Sequence, residues 1–222
     1  ISGDARIGAG FNGLGTVTVD GAGSTWTSHG GLMVSTGGSG TLNVQNGGVV
    51  FSASSEIACY GCTPVGPPGT VTIDGPGSRW IIRGGLDVNR GTLHLRNRGS
   101  VHVADTLNIR DGTLDVSAGD TRIDARVVSD GIIDVQESGV LTFSGEVNGS
   151  GGFPGPGTIV FEDRFVASGS HVARTLDFGG SVEFRPTSTL LLELAGYPDE
   201  VRHDLIAVRG ASPSRLDGTL NL

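Results

Sequence analysis

Twelve residues recur almost unchanged at a fixed distance along the chain. Gly15-Thr16-Val17-Thr18-Val19-Asp20-Gly21-Ala22-Gly23-Ser24-Thr25-Trp26 returns 54 residues later as Gly69-Thr70-Val71-Thr72-Ile73-Asp74-Gly75-Pro76-Gly77-Ser78-Arg79-Trp80. At the same offset Gly30-Gly31-Leu32-Met33-Val34 becomes Gly84-Gly85-Leu86-Asp87-Val88, so the phase holds beyond the first block. Self-similarity at a fixed period marks stacked repeat architectures.

Within each unit, runs of four to five residues alternate apolar and polar, as in Thr16 to Val19, Thr41-Leu42-Asn43-Val44 and Thr92-Leu93-His94-Leu95. This is the signature of a strand with one buried and one wet face. The phrase Gly-Thr-Leu-x-Val and its relatives continue at Thr106-Leu107-Asn108-Ile109, Gly112-Thr113-Leu114-Asp115-Val116, Gly131-Ile132-Ile133-Asp134-Val135 and Gly139-Val140-Leu141-Thr142-Phe143. Short strands with frequent turns suit either a sandwich or a solenoid. The repeat decides for the solenoid, because sandwich strands occupy unique positions whereas the coils of a β-helix stack equivalent residues. The expected fold is all-β: a single-stranded, parallel β-helix with two or three coils per long repeat. Only Leu190 to Leu194 and Asp199 to Asp204 offer any helical pattern, and both are short.

Residues 1–148 read as β-solenoid, with long repeats over about 1–54 and 55–105 and further short coils after them. A Gly/Pro-rich joint follows at 149–157. Beyond it, 158–222 is either a continuation of the solenoid or a capping segment. Its strands look longer and more hydrophobic, as at 158–161 and 189–194. A cap has a physical motive, since a solenoid must blunt its exposed end strands.

The 39 glycines have no Gly-x-y period and punctuate aliphatic runs, so they read as turns rather than collagen or a flexible linker. A formal net charge of -8 argues against a dedicated nucleic-acid partner. All 15 basic residues are Arg. No apolar run reaches the ~18 residues of a membrane-spanning helix. The chain starts in mid-pattern at Ile1-Ser2-Gly3, without Met or a signal-peptide pattern, and is expected to be a segment of something longer.

The two blocks Gly15 to Trp26 and Gly69 to Trp80, each followed by Gly-Gly-Leu-x-Val, resemble the autotransporter-associated and PEP-CTERM-associated repeats of large bacterial exported proteins. In the first copy Gly40-Thr41-Leu42-Asn43-Val44-Gln45-Asn46-Gly47-Gly48-Val49 adds to the resemblance; the second copy shortens this phrase after Asn89. The stretches Leu190 to Gly196, Asp204 to Gly210 and Leu216 to Leu220 are similar to the segment that closes such arrays. The resemblance implies a right-handed solenoid, a secreted or cell-surface location, and adhesion or scaffolding without catalytic residues.

Arg79, Arg83, Arg90, Arg96, Arg98 and Arg110 make the stretch 79–110 locally basic in an acidic chain. With Leu93 and Leu95 inward, His94 and Arg96 point outward, as does His102 between Val101 and Val103. Stacking of coils would align His94, Arg96, Arg98 and His102, with Arg83 and Arg110, into a stripe suited to anionic polysaccharide; another surface protein is the alternative partner. Asp115, Asp134 and Glu137 are the carboxylates that a β-helical polysaccharide lyase or glycosidase would need in one groove. A non-catalytic adhesive or structural module is the first expectation and such an enzyme the second.

Cys59 and Cys62 are the two cysteines, spaced for a local disulfide in an exported protein, and no second ligand pair accompanies them for zinc. Gly8-Ala9-Gly10-Phe11-Asn12-Gly13 spells a phosphate-binding loop but precedes a strand, so it reads as a turn. Trp26 and Trp80 either anchor a corner or form an aromatic platform for sugars. Asp20 and Asp74 precede Gly, which is ordinary turn chemistry, and the calcium-binding nonapeptide is not tiled here. No metal or cofactor is called for.

Overall fold

The computed structural model describes residues 3–58, 66–167, 175–192, 194–197, 200–203, 205–210 and 214–221. The chain winds as a parallel β-helix with three faces, and no helix occurs among the described residues. The first face is a ten-stranded sheet that receives one strand from each coil, from Ala5–Ala9 through Leu32–Thr36, Ser55–Ile57 and Leu86–Asn89 to Thr189–Leu191 and Thr219–Asn221. The second face stacks Leu14–Asp20, Ser39–Gln45, Thr70–Asp74, Thr92–Arg96, Thr113–Ser117 and Ile132–Val135. The third begins with Thr25–Thr27, Val49–Ser52, Arg79–Ile82 and Ser100–Val103. It is taken up by Gly119–Ile123, Gly139–Phe143, Thr158–Phe161, Ser181–Phe184 and Arg215–Leu216.

Period-2 alternation drives this stacking. On the second face Val17, Leu42, Val71, Leu93, Leu114 and Ile133 fall in register, and two residues on so do Val19, Val44, Ile73, Leu95, Val116 and Val135. Except for the partly buried Val17, all of these point into the core and are buried. Burying each such aliphatic side chain contributes about 1.5–3 kcal/mol. A one-residue slip would bring the whole column to the surface, which fixes the register.

The register also shows what the 54-residue period is. Thr16 pairs with Thr41 and Thr41 with Thr70, so one period is two coils. The two kinds of coil differ at the corner between the second and third faces. One kind turns through Gly21 and Gly23, or Gly75 and Gly77, all at positive φ; the other turns through Asn46-Gly47 or Asn97-Arg98, again at positive φ. Asn tolerates this left-handed region better than most residues. Across the step Asn46 Nδ2 donates to Asp20 Oδ1 at 2.7 Å, and Asn97 Nδ2 to Asp74 Oδ1 at 2.8 Å. Ser78 Oγ donates to the Asp74 carbonyl at 2.6 Å and accepts from the Gly47 amide at 2.9 Å.

Past residue 143 the strands are not longer: Thr158–Phe161 has four residues and Thr189–Leu191 three. What grows is the side chain. Phe143, Phe161 and Phe184 occupy successive rungs and stack at 5.6 and 5.0 Å, Phe153 stacks on Phe178 at 4.5 Å, and Phe165 lies 4.6 Å from Phe161. The apolar run expected as one strand at 189–194 divides instead. Leu194–Tyr197 leaves the parallel stack and pairs antiparallel with Glu200–His203.

The Gly/Pro-rich stretch supplies the second face of its coil in irregular form. Gly152 bridges Ile132, Phe153 bridges Phe178, and the Gly157 amide donates to the Val135 carbonyl at 2.7 Å. Thr175–Phe178 and Leu205–Val208 then pair in parallel beyond it.

Candidate functional site

The outward residues of the second face form three columns. The first holds Thr16, Thr41, Thr70, Thr92 and Thr113 in unbroken register, followed by Ile132. The second holds Thr18, Asn43, Thr72, His94, Asp115 and Asp134, and the third Asp20, Gln45, Asp74, Arg96 and Ser117. Strands repeat every ~4.8 Å, so the face offers hydrogen-bonding groups at that interval along the solenoid axis.

The most connected polar group lies where His94, Asp115 and Asp134 follow one another. His94 Nδ1 and Asp115 Oδ2 are 2.6 Å apart, with side chains 22% and 15% exposed. An ionised carboxylate only accepts, so Nδ1 carries the proton and Nε2 is left as the acceptor nitrogen when the ring is neutral. Gln136 Nε2 donates to Asp115 Oδ1 at 3.1 Å and to Asp134 Oδ2 at 3.0 Å, tying the two carboxylates of adjacent rungs together. The Arg96 guanidinium lies 3.4 Å from His94 Nδ1; both groups are donors, so this is proximity and not a bond. On the far side the Gly155 backbone closes against Asp134, where a side chain would collide with the carboxylate. The result is a fixed set of acceptors flanked by one guanidinium, able to hold hydroxyl groups.

The pairing of His94 with Asp115 went unread in the sequence, although a signal was present. Aligning Gly91-Thr92-Leu93-His94-Leu95 with Gly112-Thr113-Leu114-Asp115-Val116 and Gly131-Ile132-Ile133-Asp134-Val135 puts the three variable positions in one column. Glu137 stands apart on the exposed turn after Val135.

The basic residues of 79–110 go around the prism. His94 and Arg96 share the second face. Arg98 sits at the corner beyond it with φ 67°. His102 is exposed on the third face, paired with Ile81. Arg83 follows the third-face strand Arg79–Ile82 and is exposed. Arg110 ends the first-face strand Thr106–Arg110, with Nη1 3.7 Å from Asp87 Oδ1.

Trp80 is fully buried and its Nε1 donates to Ser52 Oγ at 2.9 Å, whereas Trp26, two rungs away in the same column, is half-buried. Gly8 to Gly13 lies at the junction of a first-face and a second-face strand, with Phe11 75% exposed. Asp20 and Asp74 accept from asparagines, as described above. Cys59 and Cys62 lie outside the described residues. Among the described residues no three metal-ligating side chains converge, and no helix is long and apolar enough to cross a membrane.

No protein-family model matches the chain, and no solved structure matches it. Over 86 residues it is 34% identical to "Adhesin BmaC autotransporter" of Brucella suis biovar 1 (strain 1330). The match covers 39% of this chain and 2% of that protein, so the chain spans a small fraction of the relative's length.

Proposed function

We propose that the chain is a rigid β-solenoid segment of an exported bacterial surface protein and acts without catalysis, binding a glycan or a partner surface along its second face. The observation that carries this reading is the unbroken register of outward polar columns on that face, from Thr16, Thr18 and Asp20 to Thr113, Asp115 and Ser117. A repeating face suits an extended ligand, because each coil adds the same kind of contact and the weak contacts act together. The partial likeness to a protein named an adhesin supports the same reading.

A second reading, a β-helical carbohydrate-active enzyme, draws on Asp115 and Asp134. Their carboxylates share one Gln136 donor and stand on adjacent rungs, near the ~5 Å spacing of a retaining glycosidase. One experiment separates the two readings. The purified chain is incubated with a panel of neutral and acidic polysaccharides and with intact bacterial and host cells, and bound protein and released reducing sugar are measured together. Saturable binding without sugar release is the expected result. Release that disappears in Asp115→Asn would establish the enzyme, and absence of binding to every surface would overturn the adhesive reading.

A further inference from the structure

The charge on the second face narrows its ligand. Outward on its six strands the described carboxylates are Asp20, Asp74, Asp115 and Asp134, while Arg96 is the one guanidinium. The other arginines of the basic stretch belong to corners or other faces, and Arg110 faces Asp87. A polyanion laid along this face would meet a carboxylate on most rungs and a guanidinium on one. Such like-charge contacts reject a partner.

The face is built for hydroxyl groups instead. Five threonines in a column present a hydroxyl and a methyl at five of the six rungs. The hydroxyl both donates and accepts, and the methyl offers an apolar contact to the C–H edge of a sugar ring. Beside them, Asp115 and Asp134 each have lone pairs beyond those used by His94 and Gln136, and ionised carboxylates bind O–H donors more strongly than neutral acceptors do.

We infer that the second face takes an uncharged, hydroxyl-rich polysaccharide running along the solenoid axis and excludes polyanionic chains. This rests on the reading of that face as a glycan-binding surface and specifies its ligand class. The test is affinity electrophoresis of the 222-residue chain in gels containing an uncharged β-glucan, an uncharged mannan, polygalacturonate or heparin, at low and high salt. Retardation by an uncharged polymer, little changed by salt and weakened about tenfold in Thr70→Val/Thr92→Val, is the expected result. Circular dichroism verifies that this variant is folded, and Thr41→Val/Thr113→Val serves if it is not. Retardation by polygalacturonate or heparin alone, relieved by salt, would overturn the inference and leave glycan adhesion standing. Retardation by none of the four would remove the glycan reading and this inference with it, and retardation unaffected by either threonine pair would move the ligand to another surface.

Discussion

Asn97 donates from its side-chain amide to Asp74 at 2.8 Å, and it does so from a left-handed backbone with φ 49°. The residue thus serves two purposes, making the corner and fastening it to the neighbouring coil. Asn97→Ala removes the contact and leaves the strained conformation, at a cost of about 1–2 kcal/mol. Asn97→Gly relieves the backbone while losing the same contact, and is expected to fall between wild type and Asn97→Ala. Urea denaturation of both, with Asp74→Ala completing a double-mutant cycle, checks the assignment; additive effects of Asp74→Ala and Asn97→Ala would deny the link.

Trp26 and Trp80 hold equivalent places in the repeat and different places in the core. Trp80→Ala empties a fully buried site and leaves Ser52 Oγ without its indole donor, so it is expected to cost about 3–5 kcal/mol. Trp26→Ala, at a half-buried position, should cost less than half of that. Equal losses in thermal or chemical unfolding would contradict the difference in packing.

Acid should loosen the third face. The Ser144 hydroxyl, and after it Arg122, hold Asp124 below its ordinary value of 3.8, and the Arg122 hydrogen bond holds Glu162 below 4.5. Carboxylates with lowered folded values stabilise the chain above their unfolded values, and this contribution is lost as pH falls through the folded values. It should therefore be complete above pH 4.5 and decline below it. Arg122 is 51% and Asp124 57% exposed, so solvent screening keeps the effect small, at most about 1 kcal/mol. Arg122→Ala is expected to flatten this part of the stability curve, measured by melting between neutral pH and pH 3.

The inward residues were legible because alternation alone assigns them: Leu93 and Leu95 go in, and His94 and Arg96 come out. That Gly15 and Gly69 stack in phase was legible too, but the repeat left two or three coils open, and only the pairing of Thr16 with Thr41 and of Thr41 with Thr70 makes it two. Coil length is what hid the rest. Thr41 pairs with Thr70 but Thr92 with Thr113, so the step between rungs changes from 29 to 21 residues and side chains cannot be aligned by a constant spacing. For the same reason the local run of arginines did not disclose a shared face. A coil carries neighbours in sequence around three sides, and neighbours in space come from other coils. The stretch from Gly149 to Gly157 concealed its place because irregular backbone, rather than an alternating strand, continues the second face there.

The corner contacts from Asn46 to Asp20 and from Asn97 to Asp74 both join one kind of coil to the other. A chain written this way has a natural unit of length. Loss or duplication of a single coil would set like corners side by side, asparagine facing asparagine or aspartate facing aspartate. A gain or loss of one whole 54-residue period returns the Asp20, Asn46, Asp74 and Asn97 corners to their complements and shifts the far end by two rungs, ~9.5 Å. The grammar of the corners thus lets such a protein change its reach in even steps while its lateral surface stays in phase.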